Sequence, residues 1–289
     1  MCWFLVWVLG SELLWFRCGH RIGEAMSTAD TYITPDGRVI GAVMMEMKNI
    51  TLRFGGVVAI QDISFDIREG EIRAIIGPNG AGKTTLIHQI SGSLKSDSGQ
   101  LLFDGRDITK LSLPQRSAAG LGRTFQITTL IPQFSVLENV ALSAQAKSGS
   151  SFRFLRPAAR ESDLNAQAIS ALEQFDLAGS AEATAGELSH GEQRQLELAM
   201  ATVAAPKVLL LDEPMAGIGK GESKALTETL SWLKTTTPML LVEHDMEAVF
   251  KLADRVSVLV YGKIIATGTP QEVRENAEAR AAYLGQETL

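Results

Sequence analysis

The run GPNGAGKT at residues 77–84 constrains this chain more than any other feature. It fits G-x-x-x-x-G-K-[ST] and lies between a predicted buried strand, EIRAIIG, and a predicted helix, KTTLIHQISG. Glycines at this spacing let successive backbone N–H groups turn inward onto phosphate oxygens, because a Cβ would block the dihedrals that turn requires. A helix beginning near Lys83 adds the positive end of its dipole. The pattern predicts that Gly77, Pro78, Asn79, Gly80, Ala81, Gly82, Lys83, Thr84 and Thr85 bind the phosphates of ATP. Lys83 reaches the β- and γ-phosphates, and the Thr84 hydroxyl ligates Mg²⁺. The plain alternative is a Gly-rich turn carrying a solvated lysine.

A second element, VLLLDEP at residues 208–214, has the form of a buried strand with two carboxylates at its C-terminal end. Open α/β sheets place their ligands at that end. Behind a phosphate loop, Asp212 is placed to hold Mg²⁺ through water and Glu213 to polarise an attacking water, since phosphoryl transfer needs positioning and charge compensation above all. Taken alone, Asp-Glu after a strand is more often a helix N-cap.

Around these two motifs, strands alternate with helices, which predicts an α/β fold with a largely parallel sheet. MEMKNITLRF and VVAIQDISFDI, joined by Gly55-Gly56, and the shorter SGQLLFDGRDIT predict antiparallel hairpins. Residues of about 127–200 are rich in Ala, Leu, Glu and Gln and predict an inserted helical subdomain, interrupted by KSGSSFRFLRPAAR. A further helix is expected after Gln193, then the strand PMLLVEHD and the pair RVSVLV/KIIATG. The expected organisation is an N-terminal extension at 1–44, an ATPase domain at 45–270 and a helical tail at 271–289. No internal repeat is visible, so one ATPase unit is expected.

Composition excludes several classes. Of 289 residues, 45% are hydrophobic and 21% charged, so a sizeable core is available. A net charge of -6 without a long Lys/Arg run argues against a nucleic-acid partner, because basic surface supplies most of that affinity. The 2 cysteines, Cys2 and Cys18, precede the motif region and support neither a disulfide framework nor a thiolate metal cluster, which fits a reducing cytoplasm. MCWFLVWVLGSELLWF is almost wholly apolar but is broken by Ser11 and Glu12, short of the roughly 20 apolar residues of a membrane span. It also lacks the basic leader of a secretory signal. Three readings stand for it: a translation start set too far upstream of Met26 or Met44, a membrane-surface anchor, or an ordered packing segment. Apolar runs elsewhere, such as VLLL and MLLV, are of strand length.

Three more motifs carry a family resemblance. LSHGEQ at residues 188–193 resembles the signature sequence of ABC-type ATPases, commonly LSGGQ; RTFQ ending at Gln126 resembles their Q-loop; VEHD places His244 as their switch histidine stands. All five motifs come in the family's order, over roughly residues 45–284. The resemblance implies a P-loop NTPase with a RecA-like, mostly parallel sheet core, an antiparallel β subdomain and an inserted helical subdomain. It implies that Phe54 stacks on adenine, that Gln126 joins Thr84 and Asp212 around Mg²⁺, and that Glu213, His244 and Lys83 serve hydrolysis. Ser189, Gly191 and Glu192 would bind the γ-phosphate of ATP held by a second ATPase subunit, in a head-to-tail pair. A lone Phe would otherwise be core, and a lone His a core or capping residue.

FGG, RTFQ, SVLENV, FRFLRP, LSHGEQR and the terminal AAYLG together resemble the ATP-binding subunits of branched-chain amino-acid importers. That implies permease subunits docked on the helical block beside Gln126, indirect service to a solute-binding protein, and a peripheral place on the cytoplasmic face of the cell membrane. Arg153, Arg156 and Arg160 would meet lipid headgroups or acidic permease loops, or form a solvated basic helix. Two departures stand out: His190 replaces the usual Gly of the signature, and AGIGKGES puts Gly219 near where that branch carries Asn or Asp at the dimer crossing. The alternatives are the ATPase of an exporter, such as a lipopolysaccharide extractor, and a non-transport ABC ATPase.

Overall fold

The computed structural model describes residues 32–34, 37–124, 130–148 and 162–282. Gln126, Arg153, Arg156, Arg160, both cysteines and the apolar leader lie outside the described residues. The chain opens with a short antiparallel pair, β1 (Tyr32–Ile33) and β2 (Val39–Ile40), followed by the long hairpin β3 (Val43–Phe54) and β4 (Val57–Arg68). Packing begins ahead of Met45: Ile40 is fully buried, and Gly41 and Glu69 tie the two segments by backbone hydrogen bonds, Gly41 N to Glu69 O and Glu69 N to Ala42 O. After β5 (Ile72–Ile76) and α1 (Lys83–Ser91), the strands β6 (Ser98–Phe103) and β7 (Arg106–Asp107) complete a four-stranded antiparallel sheet in the order β4-β3-β6-β7.

Next come α2 (Leu113–Ala118) and β8 (Leu121–Arg123), and then the helical part, α3 (Val136–Ser148), α4 (Ser162–Gln174) and α5 (His190–Thr202). The chain returns through β9 (Val208–Asp212), α6 (Lys220–Leu233), β10 (Met239–Val242), α7 (Met246–Leu252), β11 (Arg255–Val260) and β12 (Lys263–Gly268), ending in α8 (Pro270–Glu275) and α9 (Ala277–Ala282). The main sheet runs β12-β11-β5-β10-β9-β8, with β11, β5, β10, β9 and β8 parallel and β12 antiparallel at one edge. No described helix is long and apolar enough to cross a membrane.

The central strands are apolar at nearly every position because both faces of the sheet are covered. Alternation then sorts them: Ile72, Ala74, Ile76, Leu209 and Leu211 point into the core shared with the helices, whereas Ile75, Val208 and Leu210 join the core under the antiparallel sheet and α1. One expectation is corrected. α5 begins at His190 and not after Gln193, because Ser189 caps it: Ser189 Oγ accepts from Glu192 N (3.3 Å) and Glu192 Oε2 accepts from Ser189 N (2.9 Å).

Candidate nucleotide site

Three neighbouring parallel strands, β5, β10 and β9, deliver the site. Their register sets Ile75 beside Val242 and Val242 beside Asp212, so the segments leaving their C-terminal ends start level with one another. From β5 comes the glycine loop; from β9, Asp212 and Glu213; from β10, Glu243 and His244.

The loop can have no side chain at its two hinge positions. A Cβ on Gly77 would lie 2.0 Å from the Leu259 carbonyl oxygen, and one on Gly82, at φ 108°, would lie 2.9 Å from that of Ala59. Gly82 is the N-cap of α1 and brings no side-chain hydrogen bond of its own, so the first N–H groups of the helix face the loop. Lys83 is buried, with Nζ donating to the carbonyls of Gly77 (2.6 Å) and Pro78 (3.1 Å). Burial holds its ammonium below the ordinary lysine range, against the opposing pull of Glu213, Asp212 and Glu243. A cavity of about 340 Å³ is lined by residues 79–85 and Glu213, within the range of small-ligand pockets.

Asp212 is 2% exposed, and neither carboxylate oxygen has a hydrogen bond; Arg123 Nη2 stands 3.6 Å from Oδ2. Burial pushes its carboxyl above the ordinary range, opposed by Arg123 and reinforced by Glu213. Glu213 adopts φ 50°, a left-handed conformation that costs a non-glycine residue roughly 1–2 kcal/mol. Its N–H is held by Val242 O at 2.8 Å, and the conformation turns the chain sharply away from the strand. His244 Nδ1 lies 3.9 Å from Glu213 Oε2 and 3.7 Å from Glu243 Oε2, on a side chain that is 55% exposed.

Beyond this cluster, Ser189, Gly191 and Glu192 form the N-terminus of α5. Glu222, in the first turn of α6, ties that end to its own helix: Oε1 accepts from Gly191 N and Oε2 from Gly219 N, both at 3.1 Å. These two backbone donors hold the Glu222 carboxyl below its ordinary range. Phe54 ends β3 and is 51% exposed.

A sequence signature described as ABC transporter matches residues 60–216, and one described as branched-chain amino acid ATP-binding cassette transporter matches residues 263–288. The chain belongs to the ABC transporter family. Among its relatives is the high-affinity branched-chain amino acid transport ATP-binding protein LivG of Salmonella typhimurium, 38% identical over 84% of this chain and 98% of its own length. BraF of Pseudomonas aeruginosa, named for the same transport, is 34% identical over the same shares. A crystal structure of an ATP-binding cassette of an ABC transporter, in its ADP conformation, superposes with a TM-score of 0.77 at 30% identity, covering 84% of this chain and 99% of the other.

In this ABC cassette the residues present fit Mg²⁺ and ATP phosphates. Asp212 has two buried oxygens without hydrogen bonds, just before the cavity-lining Glu213, and Arg123, 3.6 Å from Oδ2, leaves Oδ1 for a further cation, without which a buried oxygen is costly. The hinge glycines 77 and 82 leave no side chain in the way of the phosphate loop. The structure brings Lys83, Asp212, Glu213 and His244 to one end of the sheet. It sets Ser189, Gly191 and Glu192 at a separate helix end and Phe54 at the tip of the β3–β4 hairpin. Arg123, Glu222 and Glu243 carry no signal of their own in the sequence. Arg123 stands only three positions before Gln126 in RTFQ, and Glu243 lies inside VEHD, but neither signals its partner by spacing.

Proposed function

We propose that this chain is the ATP-binding and hydrolysing subunit of an importer, powering uptake of branched-chain amino acids or a related small solute through separate permease subunits. One observation carries the hydrolytic part: a phosphate loop, a buried Mg²⁺-type carboxylate, a second carboxylate and a histidine leave the ends of three adjacent strands in register. The transported class rests on relatives named for branched-chain amino-acid transport and on the C-terminal signature at residues 263–288.

In this reading the N–H groups of residues 77–85 and the Lys83 ammonium hold the phosphates, and Thr84, Asp212 and Gln126 hold Mg²⁺. Bound there, the cation would neutralise charge developing on the phosphate oxygens. Glu213 orients and polarises the attacking water, and His244 contacts the γ-phosphate. Phe54, exposed at its hairpin tip, offers a face to adenine. Ser189, Gly191 and the α5 N-terminus complete the site of a second ATPase subunit, so hydrolysis belongs to a head-to-tail pair. The chain then sits peripherally on the cytoplasmic face of the membrane, held by its permeases.

Co-purification with candidate permeases, followed by ATPase measurement with and without branched-chain amino acids and their binding protein, tests the proposal. Stimulation by substrate is the expected result. ATPase activity that ignores every membrane partner would overturn the transport reading.

A further inference from the structure

Glu243 is fully buried, yet it is answered unlike the other buried carboxylates of the described chain. Glu71 pairs with Arg255, Glu197 with Arg194, Asp254 with Lys234 and Arg38, and Asp212 with Arg123. Glu243 instead accepts three backbone N–H groups: Oε1 takes that of Met215 at 2.7 Å, and Oε2 takes those of His244 at 2.9 Å and Asp245 at 3.3 Å. The group within ion-pair reach is the imidazole of His244.

Those three donors come from two different loops. Met215 lies two residues beyond Glu213, on the segment that leaves β9 in a left-handed turn; His244 and Asp245 lie on the segment leaving β10. One carboxylate therefore joins the backbone that aims Glu213 to the backbone that aims His244. Main-chain hydrogen bonds between β9 and β10 run in ladder register only as far as Asp212 and Val242, and the Glu213 N–H to Val242 O bond closes them. Beyond that point, Glu243 continues the connection.

We propose that Glu243 is a positioning residue for ATP hydrolysis, clamping the loop that follows Glu213 to the loop that carries His244. This rests on the reading of Glu213 and His244 as hydrolytic groups. A glutamine has the same length but one acceptor oxygen and an NH₂ in place of the second, so at least one of the two loops would face a donor instead of an acceptor. The clamp would open on one side with little change in volume.

The test uses the full chain in the complex co-purified with its permeases and second ATPase subunit, with Lys83→Ala as the background control. For Glu243→Gln we expect kcat for ATP to fall about 10- to 100-fold, the size of effect that misplacement of reacting groups produces. KM, and the Kd of a fluorescent ATP analogue, should stay within about twofold, because the phosphate loop is untouched. In a Glu213→Gln, His244→Ala background, followed by single-turnover phosphate release, the same change should cost less than about threefold, since both groups it aims are gone. A merely structural carboxylate would give equal losses in both backgrounds. That outcome, or a kcat within about twofold of wild type, or a proportional loss of binding and turnover, overturns the proposal. If Glu243→Gln fails to fold, Glu243→Asp, which keeps the charge but shortens the reach, runs through the same cycle. Wild-type turnover no faster than Lys83→Ala would instead sink the hydrolytic reading itself, and this inference with it.

Discussion

Asp212 and Glu213 are neighbours in sequence with opposite surroundings. The first is sealed at the end of β9, its carboxyl raised by burial and steadied by Arg123; the second swings out at φ 50° toward the cavity. Strain of this kind at a strand end is retained where geometry serves a site. On the proposed reading, a buried carboxylate suited to a cation and a partly exposed one suited to a water divide the work between two adjacent residues. Glu213→Gln keeps the shape and removes the charge, so ATP affinity should persist while turnover drops by about 10²- to 10⁴-fold; single-turnover phosphate release measures it. Lys83→Ala removes the buried ammonium that Gly77 and Pro78 hold over the loop, and should weaken nucleotide binding itself, read by titration with a fluorescent analogue. Unchanged affinity and turnover in that variant would contradict the loop's role.

At the scale of elements, α5 and α6 are joined through the Glu222 carboxylate, which spans Gly191 and Gly219. Glu222→Ala should therefore speed amide hydrogen exchange at both glycines, leaving exchange within β9 and β10 as it was. Gly219, the N-cap of α6, has extended backbone at φ −73° and ψ 162°, and a Cβ there would meet only Glu222 Oε2, at 3.7 Å. Asn fits without strain and caps better than Gly by a few tenths of a kcal/mol. Gly219→Asn should raise Tm by about 1 °C in a thermal melt, and a fall of several degrees would show the site to be crowded. The elements that the sequence makes legible are those with local signals: a glycine spacing and apolar runs bounded by turns. α5 starts earlier than the sequence suggests, because Ser189 serves both in the signature and as the helix cap. Arg123, Glu222 and Glu243 are illegible in the sequence for a different reason. Their partners are 89, 31 and 28 positions away, on Asp212, Gly191 and Met215, and no periodicity within one segment encodes such a meeting.

Across the whole molecule, the site end of the main sheet is matched by a charged belt at the opposite end. β5, β10 and β11 begin near Glu71, Asp254 and Arg255, and there Arg255 grips Glu71 through two nitrogens (2.6 and 2.8 Å) while its Nη1 reaches Asp66 on β4 at 2.9 Å. Arg73, buried in β5, also donates to Asp66 at 3.1 Å and to Ser257 at 2.9 Å. This belt fastens the antiparallel sheet to the parallel one at a distance from the cavity, and the alignment of β5 with β10 and β9 depends on both ends being fixed. Asp66 reports on it by pH. Burial alone would raise its carboxyl, but the hydrogen bonds and charges of Arg255, Arg68 and Arg73 outweigh that and hold it below its ordinary 3.8. A depressed carboxylate contributes stability that is fully present above its unfolded value and is lost as pH falls through its folded one. Wild type should therefore lose stability on acidification below about pH 4 in urea melts. Asp66→Asn, which gives up charge-assisted hydrogen bonds, should be less stable by about 2 kcal/mol at pH 7, with the gap between the two proteins narrowing as pH falls below that point. A gap that stays constant down to pH 2 would mean that the belt holds by shape and not by the charge on Asp66. ATP affinity of the same variant at neutral pH should match wild type, because no belt residue lines the phosphate cavity, and a parallel loss of affinity would instead show that the strand ends carry strain from one edge of the sheet to the other.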